Sequence, residues 1–503
     1  MEAVISADRA TTESPTTAFV PYVDLHETHT GVVVLAGDKA YKAKKPVLTD
    51  FLDFRTADQR TRACLREVEL NSRLSPASYL GVAYLSDPTG GAAEPVVVMR
   101  RYRDSDRLAS LIKQGRPDES IRAVLDAIAG VLARFHQQAE RGRFINAMGE
   151  ASAVDQRWSQ NLTELHGYAG SAFSDNAIGR IKQLVTEFIS GRAPLFTRRI
   201  AEGCLVDGHG DLLADDIFCV AGGPALLDCL EFDDQLRYLD RIDDAAFLAM
   251  DLEFLGRKDL GDYFLDRYSA HTGDAAPKPL RDFYIAYRAV VRAKVDCVRH
   301  SQGKSAAAAD AARHLAIATG HLEDAAVRLA LVGGNPGTGK STVARALAEQ
   351  VGAQVISTDD VRRELRESGT ISGEPGVLDA GLYSPENVTA VYAAVLRRAR
   401  LSLVNGQSVI LDATWRDPRL RAQAHLLAAE THSAAVELLC AVPVDTATAR
   451  VKTRQPGTSD ATPQIAATLA AQQHGWSTAH RLDTSRPLEL SLRQAYEAWL
   501  DAS

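Results

Sequence analysis

Gly334 to Ser341 (GNPGTGKS) satisfies the pattern G-x-x-x-x-G-K-[ST] and sits between an apolar run, LALVG, and a helical pattern, STVARALAEQV. Glycines allow the backbone to wrap closely around phosphate oxygens, while exposed N–H groups and a helix N-terminus supply positive potential. Within the loop Gly334, Asn335, Pro336, Gly337, Thr338 and Gly339 form the cradle. Lys340 adds a mobile full charge, Ser341 offers a hydroxyl to Mg²⁺, and Thr342 continues into the helix. An ordinary glycine-rich turn with an exposed lysine is the alternative, and it leaves the strand–loop–helix flanks unexplained. Downstream, Asp412 ends the apolar run SVILD, where a Mg²⁺ ligand beside the loop is expected. Between them, Asp359 and Arg362 lie three apart on the first turn of a helix. The carboxylate can accept the proton of an attacking hydroxyl while the guanidinium clamps an anionic acceptor group; the alternative for Asp359 is a helix cap. Arg450 and Arg454, four apart on one helix face, either bridge the transferring phosphoryl or form a solvated basic edge.

A second constellation is HGDLLADDIFCV, His209 to Val220, followed by ALLDCLEF. Asp211, then Asp216 five residues on and Asp228 seventeen on, is an arrangement that phosphotransfer requires: one carboxylate positions the acceptor hydroxyl and two oxygen ligands hold Mg²⁺ between the phosphates. Three aspartates in turns between strands is the plainer reading. Upstream, DKAYKAKKP places Lys42 and Lys44 on one strand face, and REVEL places Glu67 on a helical pattern. A strand lysine paired with that glutamate would hold the α- and β-phosphates. Either lysine can fill the role, or both are surface charges. Weaker signals read as structure: Arg288, Arg292 and Lys294 as a solvated helix edge, His136 as a packed helix histidine, and Glu231 to Asp234 as an exposed acidic loop.

The elements that must position these residues differ between the two parts of the chain. Before residue 302 the reading is α+β: strand-like runs at Gly31 to Leu35, Lys39 to Lys44 and Pro95 to Arg101, a hairpin loop at Asp87 to Glu94, and helices such as Ser120 to Ala139 and Asp282 to His300. From about residue 325 the reading is α/β. Apolar runs at Leu329 to Val332, Gln354 to Ile356, Ser408 to Leu411 and Val436 to Ala441 alternate with amphipathic segments, which argues for a mainly parallel sheet covered on both faces. The Ala-rich stretch 302–326, helical from about Ser305 to His321, is the expected junction. The expected organisation is thus a tail over 1–20, a domain over 21–318 and a second over 325–503.

Composition limits the alternatives. A chain of 503 residues with 46% hydrophobic and 24% charged residues is an ordinary soluble globular protein of several domains. No window is apolar enough to span a membrane, and the start lacks a basic region followed by an apolar run. Six scattered cysteines without a CxxC pair point to a reducing cytoplasm. The net charge is −8, balanced at 18 basic and 18 acidic residues over 325–503, so the acidic excess precedes it. That distribution disfavours nucleic acid as a partner.

On GNPGTGKST, the D-x-x-R of Asp359 and Arg362, VILDAT with Asp412 and the lid-like ARVKTRQPGTSDATP, residues 325 to 503 resemble the P-loop small-molecule, zeta-toxin-like and polynucleotide-end kinases. On HGDL, the LLD of Leu226 to Asp228, the strand lysine with its glutamate, and VVVMRRY, residues 20 to 300 resemble the aminoglycoside phosphotransferase and choline-kinase-like family, a branch of the protein-kinase fold. The joined arrangement resembles bacterial chains that fuse the two. The resemblance implies ATP and Mg²⁺, transfer of the γ-phosphoryl to a hydroxyl of a small-molecule acceptor, Asp359 as base, Arg362 as acceptor clamp and Arg450 with Arg454 as lid contacts. Acceptor and oligomeric state stay open. Leu213 and Asp216 depart from the histidine and asparagine of the first family, so the alternatives are an ATP-binding regulatory or stress-associated protein with a degenerate first domain, or an aminoglycoside-modifying enzyme.

Overall fold

The computed structural model describes residues 22–27, 30–48, 53–86, 89–168, 175–375, 379–453, 464, 468–469 and 475–502. Contacts divide the chain into two compact units, 1–107 with 225–232, and 108–224 with 233–503. Among the described residues no helix is long and apolar enough to cross a membrane.

The first unit is an antiparallel sheet with one helix against it. Strands β1 (Val23–Glu27), β2 (Gly31–Ala36), β3 (Lys39–Lys44), β4 (Tyr79–Leu85) and β5 (Glu94–Arg100) run in the order β1-β2-β3-β5-β4. The helix α1 (Ala57–Ser72) starts in a capping box, with Thr56 and Gln59 each satisfying the other's backbone. Its buried residues Arg60, Cys64, Glu67 and Asn71 recur at helical spacing. Cys64 joins Ala40, Tyr79, Val97 and Met99 in a small core. Because strand side chains alternate, Lys42 and Lys44 share the Ala40 face of β3. The segment 225–232 is tied to this unit through Ser75 with Leu226 and through the Cys229 N–H, which donates to Asn71 Oδ1 at 2.8 Å.

The second unit begins with helices α2 (Leu108–Lys113), α3 (Asp118–Gln138), α4 (Arg143–Ala147), α5 (Ala151–His166) and α6 (Asp175–Ala201). Short strands β6 (Leu205–Asp207), β7 (Ile217–Val220), β8 (Gly223–Leu226), whose last two residues are counted with the first unit, and β9 (Tyr238–Asp240) follow; then come α7 (Arg241–Phe254), α8 (Lys258–Thr272), α9 (Lys278–Ser301) and α10 (Ala307–Asp324). The last of these fills the Ala-rich stretch and buries Ala311, Leu315, Ala318 and Leu322. Arg288 overturns the reading of a solvated basic edge: it is buried on α9 and its Nε donates to Asp243 at 2.7 Å.

From residue 328 strand and helix alternate. Strands β10 (Arg328–Gly333), β11 (Gln354–Ser357), β12 (Val409–Asp412), β13 (Ala434–Ala441) and β14 (His480–Asp483) form a wholly parallel sheet in the order β11-β12-β10-β13-β14. Helices α11 (Lys340–Val351), α12 (Thr358–Glu367), α13 (Pro385–Val404), α14 (Pro418–Glu430), α15 (Val444–Thr453) and α16 (Leu488–Asp501) connect and cover it. On β10, Leu329 and Leu331 enter one core while Ala330 and Val332 enter another, so both faces are buried.

Candidate phosphate-binding and phosphotransfer sites

β10 is the central strand of its sheet, and the loop Gly334–Gly339 leaves its carboxyl end at the point where ligands bind in open parallel sheets. Gly334, Gly337 and Gly339 have φ of 142°, 83° and 84°, values that side-chain-bearing residues avoid. At Gly337 a Cβ would fall 2.3 Å from the Ala447 carbonyl oxygen, so only glycine fits between loop and α15. Thr338 Oγ1 donates to the Asn335 carbonyl at 2.8 Å and Thr484 Oγ1 donates to the Thr338 carbonyl at 2.5 Å, which fixes the loop from within and from beyond β14. No side chain caps α11, so its first N–H groups stay open to an anion beside Lys340.

Asp412 stands opposite Val332 in the sheet register, next to this loop. It is 4% exposed, and its Oδ1 has no hydrogen-bond partner among the described residues. Burial pushes the carboxyl above its ordinary pKa; the Lys340 charge and the Ser341 hydroxyl oppose that, and Asp359 adds to it. An orphaned carboxylate oxygen beside a hydroxyl is a hard-oxygen donor pair, the set that suits Mg²⁺ when substrate phosphates and water complete its shell. Among the described residues no cluster of three or more His, Cys, Asp or Glu side chains could hold a metal without such help.

Asp359 begins α12 but is not its cap: Ser357 is, accepting from the Asp359 N–H. The Asp359 carboxylate is thereby left to Arg362, whose Nη1 donates to it at 3.2 Å. Arg362 is 7% exposed, lies over the Tyr383 ring at 4.3 Å, and among the described residues its Nε has no hydrogen-bond partner. Arg450 on α15 donates to the Thr484 carbonyl at 2.9 Å and lines a cavity of about 500 Å³ with Gly337, Lys340, Ser341 and Thr342. Arg454 lies outside the described residues. Arg345 and Arg486 border the same cavity and escaped the sequence reading, since no motif contains them; their signal was the helical spacing from Ser341 and the end of an unforeseen strand, β14.

In the first unit Glu67 is fully buried and meets both strand lysines. Lys42 Nζ is 2.8 Å from one of its oxygens and Lys44 Nζ 2.6 Å from the other. Lys42 also reaches Asp228 at 2.7 Å, and Lys44 reaches Glu231 at 2.5 Å. Burial opposes the Lys42 charge, but Asp228 and Glu67 outweigh it and raise its pKa well above the ordinary lysine value. Asp228 takes a left-handed φ of 64°, and its N–H donates to the Tyr79 hydroxyl at 3.2 Å. Glu231 is therefore engaged by a buried lysine rather than belonging to a free acidic loop.

The second unit holds the HGD turn. Asp244 on α7 is fully buried and accepts the His209 and Gly210 N–H groups at 2.7 and 2.9 Å, and His136 Nε2 lies 2.9 Å from it. Arg288 donates to the Gly210 carbonyl at 3.3 Å from the other side. His136 is thus a packed helix histidine with a bracing task. Asp211 follows directly, and Asp216 closes a 3₁₀ turn over Ala214–Asp216 whose first N–H is held by Asp251 at 2.8 Å. Of the three aspartates, Asp211 and Asp216 lie in this unit and Asp228 in the first.

Residues 329–477 match the family described as AAA_33, an AAA domain. A Mycobacterium tuberculosis (strain H37Rv) protein described as uncharacterized protein Rv2004c is 67% identical over 482 residues, covering 96% of each chain. Among solved structures, a choline/ethanolamine kinase family protein from Mesorhizobium loti is 16% identical over 61% of this chain and 92% of its own, with a TM-score of 0.38. The Mycobacterium tuberculosis APS kinase CysC in complex with AMPPNP and APS is 20% identical over 35% of this chain and 99% of its own, with a TM-score of 0.26.

Proposed function

The chain belongs to the family of the Mycobacterium tuberculosis protein Rv2004c, and we propose that it is an ATP- and Mg²⁺-dependent phosphotransferase of the cytoplasm that moves the γ-phosphoryl to a hydroxyl of a small-molecule acceptor. The observation that carries this reading is the juxtaposition of a glycine cradle, Lys340, Ser341 and the orphaned oxygen of Asp412 with the Asp359–Arg362 pair. In that reading the loop N–H groups and Lys340 bind the phosphates of ATP, and Arg450 borders the nucleotide cavity. Asp359 accepts the proton of the acceptor hydroxyl as its oxygen bonds to phosphorus and the bond to ADP breaks. Arg362 holds Asp359 in place and offers its remaining donors to the acceptor. Ser341 and Asp412 would hold Mg²⁺, which neutralises phosphate charge.

The first unit is proposed as a second nucleotide site, with Lys42 and Glu67 on the phosphate side and Asp228 as a metal ligand; in the second unit Asp211 is proposed as an acceptor-positioning carboxylate and Asp216 as a metal ligand. The test uses the intact chain with ATP, Mg²⁺ and a panel of hydroxyl compounds, read as acceptor-dependent ADP release. Lys340→Ala is expected to lower the release stimulated by acceptors of the glycine-cradle site about 10²- to 10³-fold, the scale of removing one charge-stabilising group from a transfer site. ATP binding without ADP release above background from any acceptor would overturn the reading in favour of ATP binding without turnover.

A further inference from the structure

The first site carries one more lysine than phosphate binding needs. Two ammonium groups two residues apart on β3 share the single buried carboxylate of Glu67, at 2.8 and 2.6 Å. The Lys44 side chain is 3% exposed, so water cannot offset its charge, and Lys42 stands on the same strand face. One carboxylate cannot neutralise both. Glu231 supplies the missing charge at 2.5 Å, on a segment that hydrogen bonds from Ser75 and Asn71 already fix against α1. The Phe54 ring at 5.6 Å and the Cys64 thiol also lie near Lys44 and bring no negative charge at neutral pH. Lys42, by contrast, keeps a 19% exposed side chain, and its other partner, Asp228, is half exposed.

We infer that Glu231 is a positioning residue: as the dedicated counter-ion of Lys44 it reserves Glu67 for Lys42, and Lys42 alone of the two lysines is the phosphate ligand. This rests on the proposal that the first domain binds nucleotide. Without Glu231, the more deeply buried ammonium draws the Glu67 charge to itself, and Lys42 is left to the half-exposed Asp228 at 2.7 Å, which pulls it from the Glu67 side. Removing Lys44 as well returns Glu67 to Lys42, so the second deletion mends the first. A purely structural ion pair would also regain its midpoint when both partners are removed, since the cost of one deletion is the buried charge left unpaired, but it would leave the nucleotide affinity unmoved at every step.

The experiment uses the full chain carrying Lys340→Ala, so that only the first site reports. Mg²⁺-ATP affinity by calorimetry and the thermal midpoint are measured for Glu231→Gln, Lys44→Met, the double variant and Lys42→Met. The expected result is a roughly tenfold loss of affinity with a lowered midpoint for Glu231→Gln, both largely restored in the double variant, and loss of binding for Lys42→Met. A double variant no better than Glu231→Gln in either measurement overturns the inference. If the Lys340→Ala parent binds no nucleotide, or Lys42→Met binds as the parent does, the underlying reading of the first site fails. The midpoint cycle alone then decides whether Glu231 is the counter-ion of Lys44.

Discussion

Asp412 is asked to be both buried and charged. Burial raises its pKa, with Lys340 and Ser341 only partly opposing. The folded value therefore lies above the unfolded one, so the group's contribution to stability is fully present below the ordinary aspartate range and lost as pH rises through the folded value. At neutral pH the ionised carboxylate opposes folding while it equips the site. Asp412→Asn is accordingly expected to raise the thermal midpoint at pH 7 and to cut acceptor-dependent ADP release about 100-fold. Calorimetry at pH 7 and pH 4 beside the activity assay checks both, and the stabilisation should shrink at the lower pH. A lower midpoint for the variant at pH 7 would contradict this account. Added Mg²⁺ should stabilise the parent more than the variant, because a ligand of the folded state raises the midpoint by mass action.

The element that shapes the HGD constellation is α7, which the sequence reading did not connect with that turn. Asp244 sits thirty-five residues beyond His209, and nothing in the spacing says that its carboxylate collects two N–H groups of the turn. Burial would raise its pKa, yet the His136 hydrogen bond and the neighbouring histidines and N–H groups hold it well below the ordinary range. That stability is present above the unfolded value and lost as pH falls toward the folded one. Asp244→Asn should cost about 2 kcal/mol at pH 7 in urea titrations, with a smaller difference below about pH 4. Equal stability of the two proteins at pH 7 would show the turn to be held by something else.

The same scale shows what the sequence discloses. Alternating apolar runs and helical patterns revealed β10 to β13 and their parallel sense, because the central strands β10 and β12 are buried throughout. The exposed β14 (HRLD) and the edge strand β1 (VDLHE) were illegible, since polar residues interrupt their period. Lys340, Ser341 and Asp412 were legible because phosphate chemistry fixes their spacing. Ser357 as the α12 cap, Arg345 and Arg486 were not, since what places them is the path of the loop rather than a motif.

At the scale of the whole molecule, the helical part after residue 108 and the parallel sheet after residue 328 belong to one compact unit. Arg192 on α6 joins them. It is 1% exposed and donates to the Leu403, Thr431 and His432 carbonyls at 2.6, 3.0 and 2.7 Å, at the carboxyl ends of α13 and α14. Burial brings its pKa down to about 10. Next to it Gly191 lies so close to Thr431 that a Cβ would fall 2.4 Å from that carbonyl oxygen. Arg192→Met should destabilise the unit by about 3 kcal/mol, because three buried acceptors lose their donor. Hydrogen exchange should quicken at residues 402–406 and 428–434 and not at the glycine cradle; uniform protection in the variant would refute the joint.

The guanidinium of Arg192 answers helix ends, not a carboxylate, so it reads only where three backbone oxygens stand and is indifferent to the residues that bear them. A transplanted C-terminal module of foreign sequence would be accepted if its two helices stopped at matching heights, and rejected by a shift of one residue. Recombination between relatives of this chain should therefore tolerate surface divergence at this seam but not insertions or deletions in the turns after α13 and α14.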